Sequence, residues 1–431
     1  MSRGGSTRFA ALILAIAFTM AATPAMAAGF GIFEQGSKAM GMAGAFTAQA
    51  DDGSALFHNV GGLAFQRERS IQVGTTLISL GDSQFEGLNP TPGASVTGEQ
   101  ASNLVTPSHI YYVQPIGQRM TFGFSFNNPF GLVTEWDNPD DWAGRFLSTR
   151  AELTTYDLAP TLAYQVTPTF GIGLSAVGRL AKVELDRRAA RINPFLQRAS
   201  EIAEVHLESD LNEGYGFNLG VLHKYNSSFS WGLSYRSKIK VDFEGDGRLT
   251  QVATGFPQFD GAVAAALPFG RDLPIETSVE FPDMASFGVA IALSPSMLLE
   301  VDANWTGWSS FDEVAIVFTE NPTLSSTLPE NWEDAYNYRI GFRWDLSSTG
   351  QLRLGYVYDE TPQPEETVSP LLPDANRNGV TIGYGHKGNR FSFDGAIMYL
   401  QFDERTTRTN IDRFYGTYES NAWLLGLTAS F

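Results

Sequence analysis

Residues 336–344 read Tyr-Asn-Tyr-Arg-Ile-Gly-Phe-Arg-Trp, with a large apolar side chain at every even position. The odd positions carry Asn, Gly and two Arg residues. A period of two predicts a β-strand whose two faces meet different environments. A soluble sandwich would carry charged residues on its outer face, whereas aromatic residues here oppose Gly and Arg. The stretch therefore favours a strand of a transmembrane barrel, with the aromatic face toward lipid and the polar face toward the lumen.

The same alternation recurs along most of the chain, for example at 122–126, 170–176 and 352–358. Candidate strands are residues 70–80, 108–116, 120–129, 150–167, 169–186, 205–225, 229–249, 274–294, 297–318, 332–346, 351–360, 378–388, 390–405 and 417–431. Bacterial single-chain barrels have an even number of strands, and this set has about 14. We predict an all-β fold, a transmembrane antiparallel β-barrel over 70–431. The last candidate strand ends on Phe431 with apolar residues at alternate positions, which resembles the insertion signal of outer-membrane barrels.

The first residues have the layout of a secretory signal peptide. Arg3 and Arg8 precede an apolar run at 9–22, and residues 25–27 read Ala-Met-Ala, a small-residue cleavage site. The run is shorter than the roughly 20 apolar residues that a membrane-spanning helix needs. We therefore predict a signal peptide over 1–27. Export combined with a barrel predicts a multi-pass protein in the outer membrane of a Gram-negative bacterium.

Residues 28–69 separate the predicted signal peptide from the first candidate strand and show no long alternation. They are rich in Gly, Ala and Met and include Phe30, Phe46 and Leu56. Such a segment is either a disordered leader or a plug inside the lumen. Its apolar content favours burial, because a solvated leader would be more polar. We predict an N-terminal hatch over 28–69, meaning a plug inside the barrel.

Composition and motifs exclude several classes of function. A net charge of −18 argues against a nucleic-acid partner, and the absence of Cys removes disulfides and thiolate metal sites. Two stretches, 242–247 and 374–379, imitate the start of a calcium loop, but Ala253 and Gly385 stand where the bidentate Glu should be. The five His residues show no paired spacing, and no nucleophile elbow or phosphate loop is present. We expect no enzyme activity, no metal and no cofactor.

Two long connections carry apolar residues. In 187–204, Phe195 and Leu196 belong to an apolar stripe with helical spacing, and 250–273 includes Phe256 and Phe259. Exposed apolar patches often bind something, which suggests a substrate groove at the outer surface. Packing of one loop on another explains the same residues equally well, so both interpretations stay open.

Several stretches together resemble the FadL-type family, the outer-membrane channels for long-chain fatty acids and hydrocarbons. Residues 41–46 read Gly-Met-Ala-Gly-Ala-Phe, 59–63 read Asn-Val-Gly-Gly-Leu, and 128–136 read Asn-Pro-Phe-Gly-Leu-Val-Thr-Glu-Trp. The first two stretches are similar to the family's hatch, although the family usually has Asn-Pro-Ala where this chain has Asn-Val-Gly. The hatch residues indicated by the resemblance are Ala28, Gly29, Phe30, Asn59, Gly61 and Gly62. The third stretch is similar to the third-strand region of the family.

The resemblance implies a monomeric barrel with a lateral opening at a kink in the third strand. The gate residues would be Asn128, Pro129, Phe130 and Gly131. Pro129 lacks a backbone donor and Gly131 weakens strand pairing, so the residues themselves predict a break there. An unpaired backbone is expensive in hydrocarbon, so a break should line a cavity or opening. The alternative is that the strand simply ends at Asn128.

The resemblance also implies passive uptake of hydrophobic small molecules, released into outer-membrane lipid. Members of the family bind the carboxylate with basic residues in the region that matches 181–184. Strict alternation places Arg179 in the lumen, and a bulge after Leu180 would place Lys182 there as well. We expect a long-chain fatty acid as the substrate, with a neutral aromatic or aliphatic hydrocarbon as the alternative. A barrel-anchored adhesin or surface receptor is the alternative from another class.

Overall fold

The computed structural model describes residues 29–81 and 83–431, so the predicted signal peptide and Ala28 lie outside the described residues. Fourteen antiparallel strands form a closed wall, as predicted. They are β1 (Ser70–Leu80), β2 (Leu104–Val105 and Ser108–Ile116), β3 (Met120–Asn127 and Gly131–Glu135), β4 (Arg150–Thr167), β5 (Phe170–Asn193), β6 (Arg198–Ser209 and Asn212–Asn226), β7 (Phe229–Arg236 and Ile239–Gln251), β8 (Asp272–Phe281 and Met284–Ser294), β9 (Met297–Thr306 and Glu313–Phe318), β10 (Ala335–Asp345), β11 (Gly350–Asp359), β12 (Arg377–Lys387), β13 (Ser392–Phe402) and β14 (Asn421–Ser430). Pairing of β1 with β14 closes the wall, so the sheet has no free outer edge there.

Long connections lie at one end of the barrel and short turns, such as 117–119 and 227–228, at the other. In barrels of this kind the long loops face the outside of the cell. Four short strands, Gln84–Gly87, Thr97–Glu99, Arg405–Thr407 and Gly416–Glu419, form a separate sheet from two of these connections. A further strand, Ser326–Pro329, pairs with the end of β9.

Helices are few and short. They are α1 (Ser37–Met40), α2 (Ala55–His58) and α3 (Pro257–Ala266), with 3-10 turns at Val60–Phe65, Trp308–Ser310, Pro322–Leu324 and Glu365–Thr367. Among the described residues, no helix combines the length and the apolar character that a membrane crossing requires. α1, α2 and the first 3-10 turn belong to the segment 29–69.

The alternation in β10 has the predicted orientation. Tyr338 and Ile340 are exposed on the outer wall, where lipid would cover them, whereas Asn337 and Arg339 are buried in the lumen. Polar groups inside and apolar groups outside are the arrangement of a membrane barrel rather than of a soluble one.

The strand bounds differ from the prediction chiefly near the outer surface. The predicted helical stripe in 187–204 is wrong, because β5 continues to Asn193 and β6 begins at Arg198, so the two form a hairpin. Its apolar residues Ile202 and Ala203 pack against Phe259 of α3, so the spacing reflects contact with a neighbouring helix. Strands β2, β3 and β6 to β9 are each interrupted once, and several predicted ends move by a few residues.

The predicted bulge in β5 is also wrong. The pairing of β5 with β4 runs in constant register from Arg150 opposite Asp186 to Leu158 opposite Gly178. Lys182 therefore points to the outer wall, where it pairs with Glu208. The apolar residues change face because the surroundings change: above the membrane, Leu185 contacts an apolar cluster inside the lumen, while charged residues face the outside.

Residues 29–69 lie inside the barrel and bond to strands around its circumference. The Ser37 hydroxyl bonds to that of Thr428 on β14 at 2.7 Å, and the Thr381 hydroxyl of β12 donates to the Gly41 carbonyl at 3.1 Å. Most side chains of this segment are buried. The segment, called the hatch below, therefore fills the lumen rather than extending from the barrel as a leader.

Candidate functional site

The wall has a gap beside the break in β3. Residues Met120–Asn127 pair with both β2 and β4, but Gly131–Glu135 pair with β4 alone. The gap therefore lies on the β2 side of the upper half of β3. The break spans residues 128–130, where the sequence predicts one.

The start of the hatch satisfies the backbone groups that the break leaves free. The Ile32 amide donates to the Pro129 carbonyl at 2.8 Å, and the Gly131 amide donates to the Phe30 carbonyl at 3.0 Å. The Thr155 hydroxyl of β4 accepts from the Phe130 amide at 3.0 Å and donates to the Phe130 carbonyl at 2.6 Å. An unpaired backbone in hydrocarbon costs several kcal/mol, so these contacts stabilise the break.

Asn128 connects the break to three neighbouring elements. Its Nδ2 donates to the Thr155 carbonyl at 2.7 Å, and its Oδ1 accepts from the Ser108 amide of β2 at 2.9 Å. The Asn128 carbonyl accepts from Gln35 Nε2 of the hatch at 2.6 Å. The side chain thus bridges the lower edge of the gap, which an aliphatic residue could not do.

A cluster of aromatic side chains packs behind the gap. The Phe30 ring of the hatch lies 6.0 Å from the Phe130 ring and 4.6 Å from the Trp308 ring, centroid to centroid. The aromatic cluster consists of Phe30, Phe130, Phe281, Trp308, Phe311 and Trp332, all buried. Four of these residues were not predicted, because they lie on separate elements and share no sequence spacing.

Gly29 allows the hatch to pack against this cluster. Its φ of +60° belongs to the left-handed region, and a Cβ there would lie 2.6 Å from a ring carbon of Trp332. Trp332 Nε1 donates to the Glu330 carboxyl group at 3.1 Å. Burial raises the pKa of Glu330 to about 8, so the group is mostly neutral at pH 7 and does not introduce a charge beside the aromatic rings.

Two cavities adjoin the aromatic cluster. The larger one, the vestibule cavity, has a volume of about 180 Å³ and is lined by Phe30, Ile32, Leu132 and other apolar residues. Its charged lining residues are Glu34, Asp374, Asp403, Glu419 and Arg377. The smaller one, the kink cavity, has a volume of about 20 Å³ and lies beneath Phe130. The vestibule cavity is thus apolar with an acidic rim.

Arg179 points into the lumen at the kink cavity, as alternation predicts. Its Nε and Nη2 both donate to the Asp157 carboxylate at 2.8 Å, a bidentate pair. The guanidinium carbon lies 4.7 Å from the Phe130 ring centroid and 4.8 Å from that of Phe281. Arg179 therefore already has a carboxylate partner, and it supports the ring of Phe130 in the break.

Two acidic residues of β9 hold the central loop of the hatch. Asp302 Oδ2 accepts from the Phe46 and Thr47 amides at 2.9 Å each, and Glu300 Oε1 accepts from the Ala48 and Gln49 amides at 2.6 and 3.2 Å. Both carboxyl groups are buried. Four consecutive backbone amides are thus bound to the wall, an arrangement that sequence spacing does not reveal.

A set of ionisable groups on the outer wall could approach a metal ion. Ligand atoms of Glu184, Asp186 and His206 lie within 4.8 Å of one another. However, His206 Nδ1 already bonds to Asp186 at 2.6 Å, and Arg150 Nη1 bonds to Glu184 at 2.6 Å. These contacts describe an ion-pair network, and we assign no metal to it.

The comparisons with known proteins agree on one family. The model of the family described as outer membrane protein transport protein (OMPP1/FadL/TodX) matches residues 18–431. The chain belongs to this family. A long-chain fatty acid transport protein of Escherichia coli O6:H1 is 25% identical over 445 residues, covering 97% of this chain and 98% of the relative. The resemblance seen in the sequence is therefore confirmed, and the protein is an outer-membrane transport protein of the FadL family.

Solved structures support the same fold. The crystal structure of a Pseudomonas aeruginosa FadL homologue matches with a TM-score of 0.82 at 22% identity, covering 94% of this chain and 99% of the other. The Ralstonia pickettii toluene transporter TbuX matches with a TM-score of 0.67 at 17% identity, covering 92% of this chain and 98% of that one. The fourteen-strand barrel with an internal hatch is therefore shared within the FadL family.

The hatch motif of this FadL-family protein is buried against the wall. Asn59 Nδ2 donates to the Thr47 carbonyl at 2.7 Å and to the Val221 carbonyl of β6 at 3.0 Å, while Oδ1 accepts from the Gly61 amide at 3.0 Å. A Cβ on Gly61 would lie 2.8 Å from the Val221 amide nitrogen, so only Gly fits there. Gly62 likewise lies against the Ala50 carbonyl. The Asn-Val-Gly variant of the motif thus permits close approach of backbones.

Replacing Asn59 with Asp should loosen the hatch. The substitution turns both Nδ2 hydrogen bonds into contacts between a carboxylate oxygen and a carbonyl oxygen, at a position with no solvent exposure. A buried polar group left unpaired costs about 1–3 kcal/mol, and two contacts are lost. We expect hydrogen exchange of the hatch amides to accelerate by about a hundredfold. Asn226→Asp, in an exposed turn, is the matched control, and unchanged exchange in the hatch would contradict the role assigned to Asn59.

The outer loops bring part of the predicted apolar groove together. The Phe195 ring stacks on the Phe256 ring at a centroid distance of 5.7 Å and an angle of 8°. Phe259 is buried beneath them in α3, whereas Leu196 lies exposed at the tip of the hairpin. Packing of one loop on another accounts for Phe259, and the exposed ring of Phe195 on the half-buried ring of Phe256 keeps the binding groove as a proposal.

Proposed function

We propose that this protein is a passive channel for hydrophobic compounds, with long-chain fatty acids as the first candidate substrate and lateral exit through the gap in β3. The observation that carries the proposal is the apolar upper lumen. Toward the loop end of the barrel, Leu185, Leu207, Ile275 and Phe318 pack inside, while the ion pairs Lys182–Glu208 and Arg248–Asp272 lie exposed on the outside. A channel for polar solutes would have the opposite arrangement.

The apolar surfaces support a route for the substrate. It would pass from the outer loops to the vestibule cavity, which is lined by Phe30 of the aromatic cluster and by Val105 and Gly131 beside the gap. Each CH₂ group that leaves water contributes about 0.8 kcal/mol, so a long chain would bind without any catalytic group. Exit through the wall would deliver the chain to lipid without returning it to water.

The hatch start supports control of that exit. Phe30 occupies the centre of the aromatic cluster, and the backbone of residues 30–32 bonds to the break in β3. A substrate that displaces the Phe30 ring would also remove these backbone contacts. Opening would then require only movement of the hatch start. The wall closed by β1 and β14 would stay unchanged, and a wall that closes within one chain also favours a monomer.

Neutral hydrocarbons are the second candidate substrate. The vestibule cavity is lined by four carboxylates, Glu34, Asp374, Asp403 and Glu419, against the single guanidinium of Arg377. Such a rim would repel an ionised fatty acid more than an alkane or arene. The names of similar proteins support both substrate classes, since one is a fatty acid transport protein and another is a toluene transporter.

Restoring a regular strand at the break tests lateral exit. Pro129→Thr together with Gly131→Val supplies a backbone donor and a strand-forming residue, so residues 128–133 can pair with β2. Uptake of a labelled long-chain acid should fall by about tenfold or more, while binding in detergent persists. Pro168→Thr, in a short turn far from the gap, is the matched control. If the amides of the break become protected from hydrogen exchange and uptake stays normal, exit is not lateral there.

A further inference from the structure

Arg236 is an inward-facing cation to which the proposed uptake route assigns no role. It ends the first segment of β7, and its Nη2 donates to the Phe57 carbonyl of the hatch. The guanidinium carbon lies 3.7 Å from the Phe57 ring centroid. Among residues 29–81 and 83–431, no carboxylate oxygen lies within 4.0 Å of this guanidinium, and the Phe57 carbonyl is its single hydrogen-bond acceptor. Most of its five N–H donors are therefore available to a ligand.

Arg236 lines the kink cavity and also a second cavity of about 20 Å³, which it shares with Arg339. Arg179 and Asp157 line the kink cavity with it, together with Phe130 of the gate. The bidentate pair of Arg179 with Asp157 is neutral overall, so Arg236 leaves this cavity with one unbalanced positive charge. The vestibule cavity, which Val105 and residues 131–134 line on the two sides of the gap, has the opposite sign. An anionic group is therefore repelled in the vestibule cavity and attracted on the lumen side of Phe130.

We propose that Arg236 receives the carboxylate head group of a long-chain acid as the acid passes the break in β3. This inference rests on the proposed uptake function and names its substrate class. The kink cavity, at about 20 Å³, has room for about one water and not for an acyl chain, so the head group would reach Arg236 only as the hatch moves. The head group would therefore lie inside the lumen at Arg236 while the chain lies along the aromatic cluster and the gap. The chain then enters the bilayer first, and Arg236 releases the head group last.

A competing explanation is that Arg236 only anchors the hatch. Arg339 provides a matched control for that role. Arg339 Nη1 donates to the Ala43 carbonyl of the hatch at 2.7 Å, and its guanidinium carbon lies 4.6 Å from the Phe33 ring. It thus makes the same kinds of contact with the hatch as Arg236. It does not line the kink cavity. Loss of a hatch anchor and loss of a head-group site can therefore be separated.

The experiment compares a long-chain fatty acid with the alcohol of the same chain length, using the full chain purified in detergent. Wild-type protein should bind the acid at least about tenfold more tightly than the alcohol, because hydrogen bonds to charged groups are stronger than those between neutral groups. Arg236→Gln should remove this preference and leave the affinity for the alcohol within about twofold. Arg236→Lys should keep part of the preference, and Arg339→Gln should keep all of it. Heat-dependent mobility on gels checks that each barrel is folded.

Three outcomes would overturn the inference. In the first, wild-type protein binds acid and alcohol equally, which needs no variant to observe. In the second, Arg236→Gln weakens the binding of acid and alcohol to the same extent. Arg339→Gln would have that effect if Arg236 and Arg339 only anchored the hatch. In the third, Arg236→Gln leaves the preference for the acid intact. Failure of the wild-type protein to bind either ligand would instead refute the proposed uptake function itself.

Discussion

A disulfide between positions 31 and 130 should abolish uptake of hydrophobic substrate, and its reduction should restore uptake. Gly31 and Phe130 face each other as an antiparallel bridge between the hatch start and the break in β3. Hydrogen bonds flank this pair on both sides, so it is a non-hydrogen-bonded pair, in which Cα atoms lie about 4.5 Å apart. That separation suits a disulfide. The chain has no Cys, so Gly31→Cys with Phe130→Cys can form only this bridge within the chain.

The expected effect is large because the bridge would hold the hatch start across the gap. Uptake of a labelled acid by whole cells should fall to about the level of cells without the channel when the protein is oxidised, and recover with a reductant. Phe130→Cys alone is the control, because it removes the aromatic ring without the bridge. Normal uptake through fully oxidised protein would show that the hatch start does not need to leave the break, and the proposed exit would then be wrong.

The break in β3 was predictable because its causes are local. Pro129 removes a donor and Gly131 weakens pairing, and both effects belong to single residues. The fourteen strands were predictable for a similar reason, since each strand repeats the same alternation between lipid and lumen. What the local residues could not show is that the hatch start supplies the missing hydrogen bonds, because residues 30–32 are about a hundred positions away in the chain.

The orientation of Lys182 shows where alternation misleads. The change of apolar face after Leu180 suggested an extra residue in the strand, yet the register is constant. The change arises because the strand leaves the membrane: the outer face now meets water and the inner face meets Leu185 and its neighbours. A switch of the apolar face can thus mark a change of environment instead of a bulge. Interpreted in that way, the switch in β5 would have predicted both the outward Lys182 and the apolar upper lumen.

The candidate binding residues were harder to predict, because they depend on partners. Arg179 points inward, as predicted. Its bond to Asp157 on the neighbouring strand could be predicted only from the pairing register of β4 and β5. Arg236 has the same inward position, since Ser234 before it also faces the lumen and Leu233 faces outward. The signal was therefore present in the alternation of β7. Only the structure distinguishes a cation that has a carboxylate partner from one that does not.

Deleting residues 29–60 should turn the closed barrel into an open pore. The wall closes through β1 and β14 without help from the hatch, so the shortened protein should still fold and insert. The hatch fills the lumen and occupies the buried carboxyl groups of Glu300 and Asp302, which would then face water. Single-channel conductance in planar bilayers should rise by about an order of magnitude or more, as expected for a water-filled barrel of this size.

The deletion also separates two roles of the hatch. If residues 29–60 only block the lumen, the shortened protein should conduct ions. Without the hatch, its gap in β3 should not select hydrophobic substrates. Asn59→Asp should then give an intermediate result, with brief openings of the full channel, because it loosens the hatch without removing it. The Pro129→Thr and Gly131→Val variant should conduct as little as wild type, since its hatch is intact. A folded, inserted deletion variant with unchanged conductance would mean that the strands themselves narrow the lumen, and the hatch would then be a regulator of the gap rather than a plug.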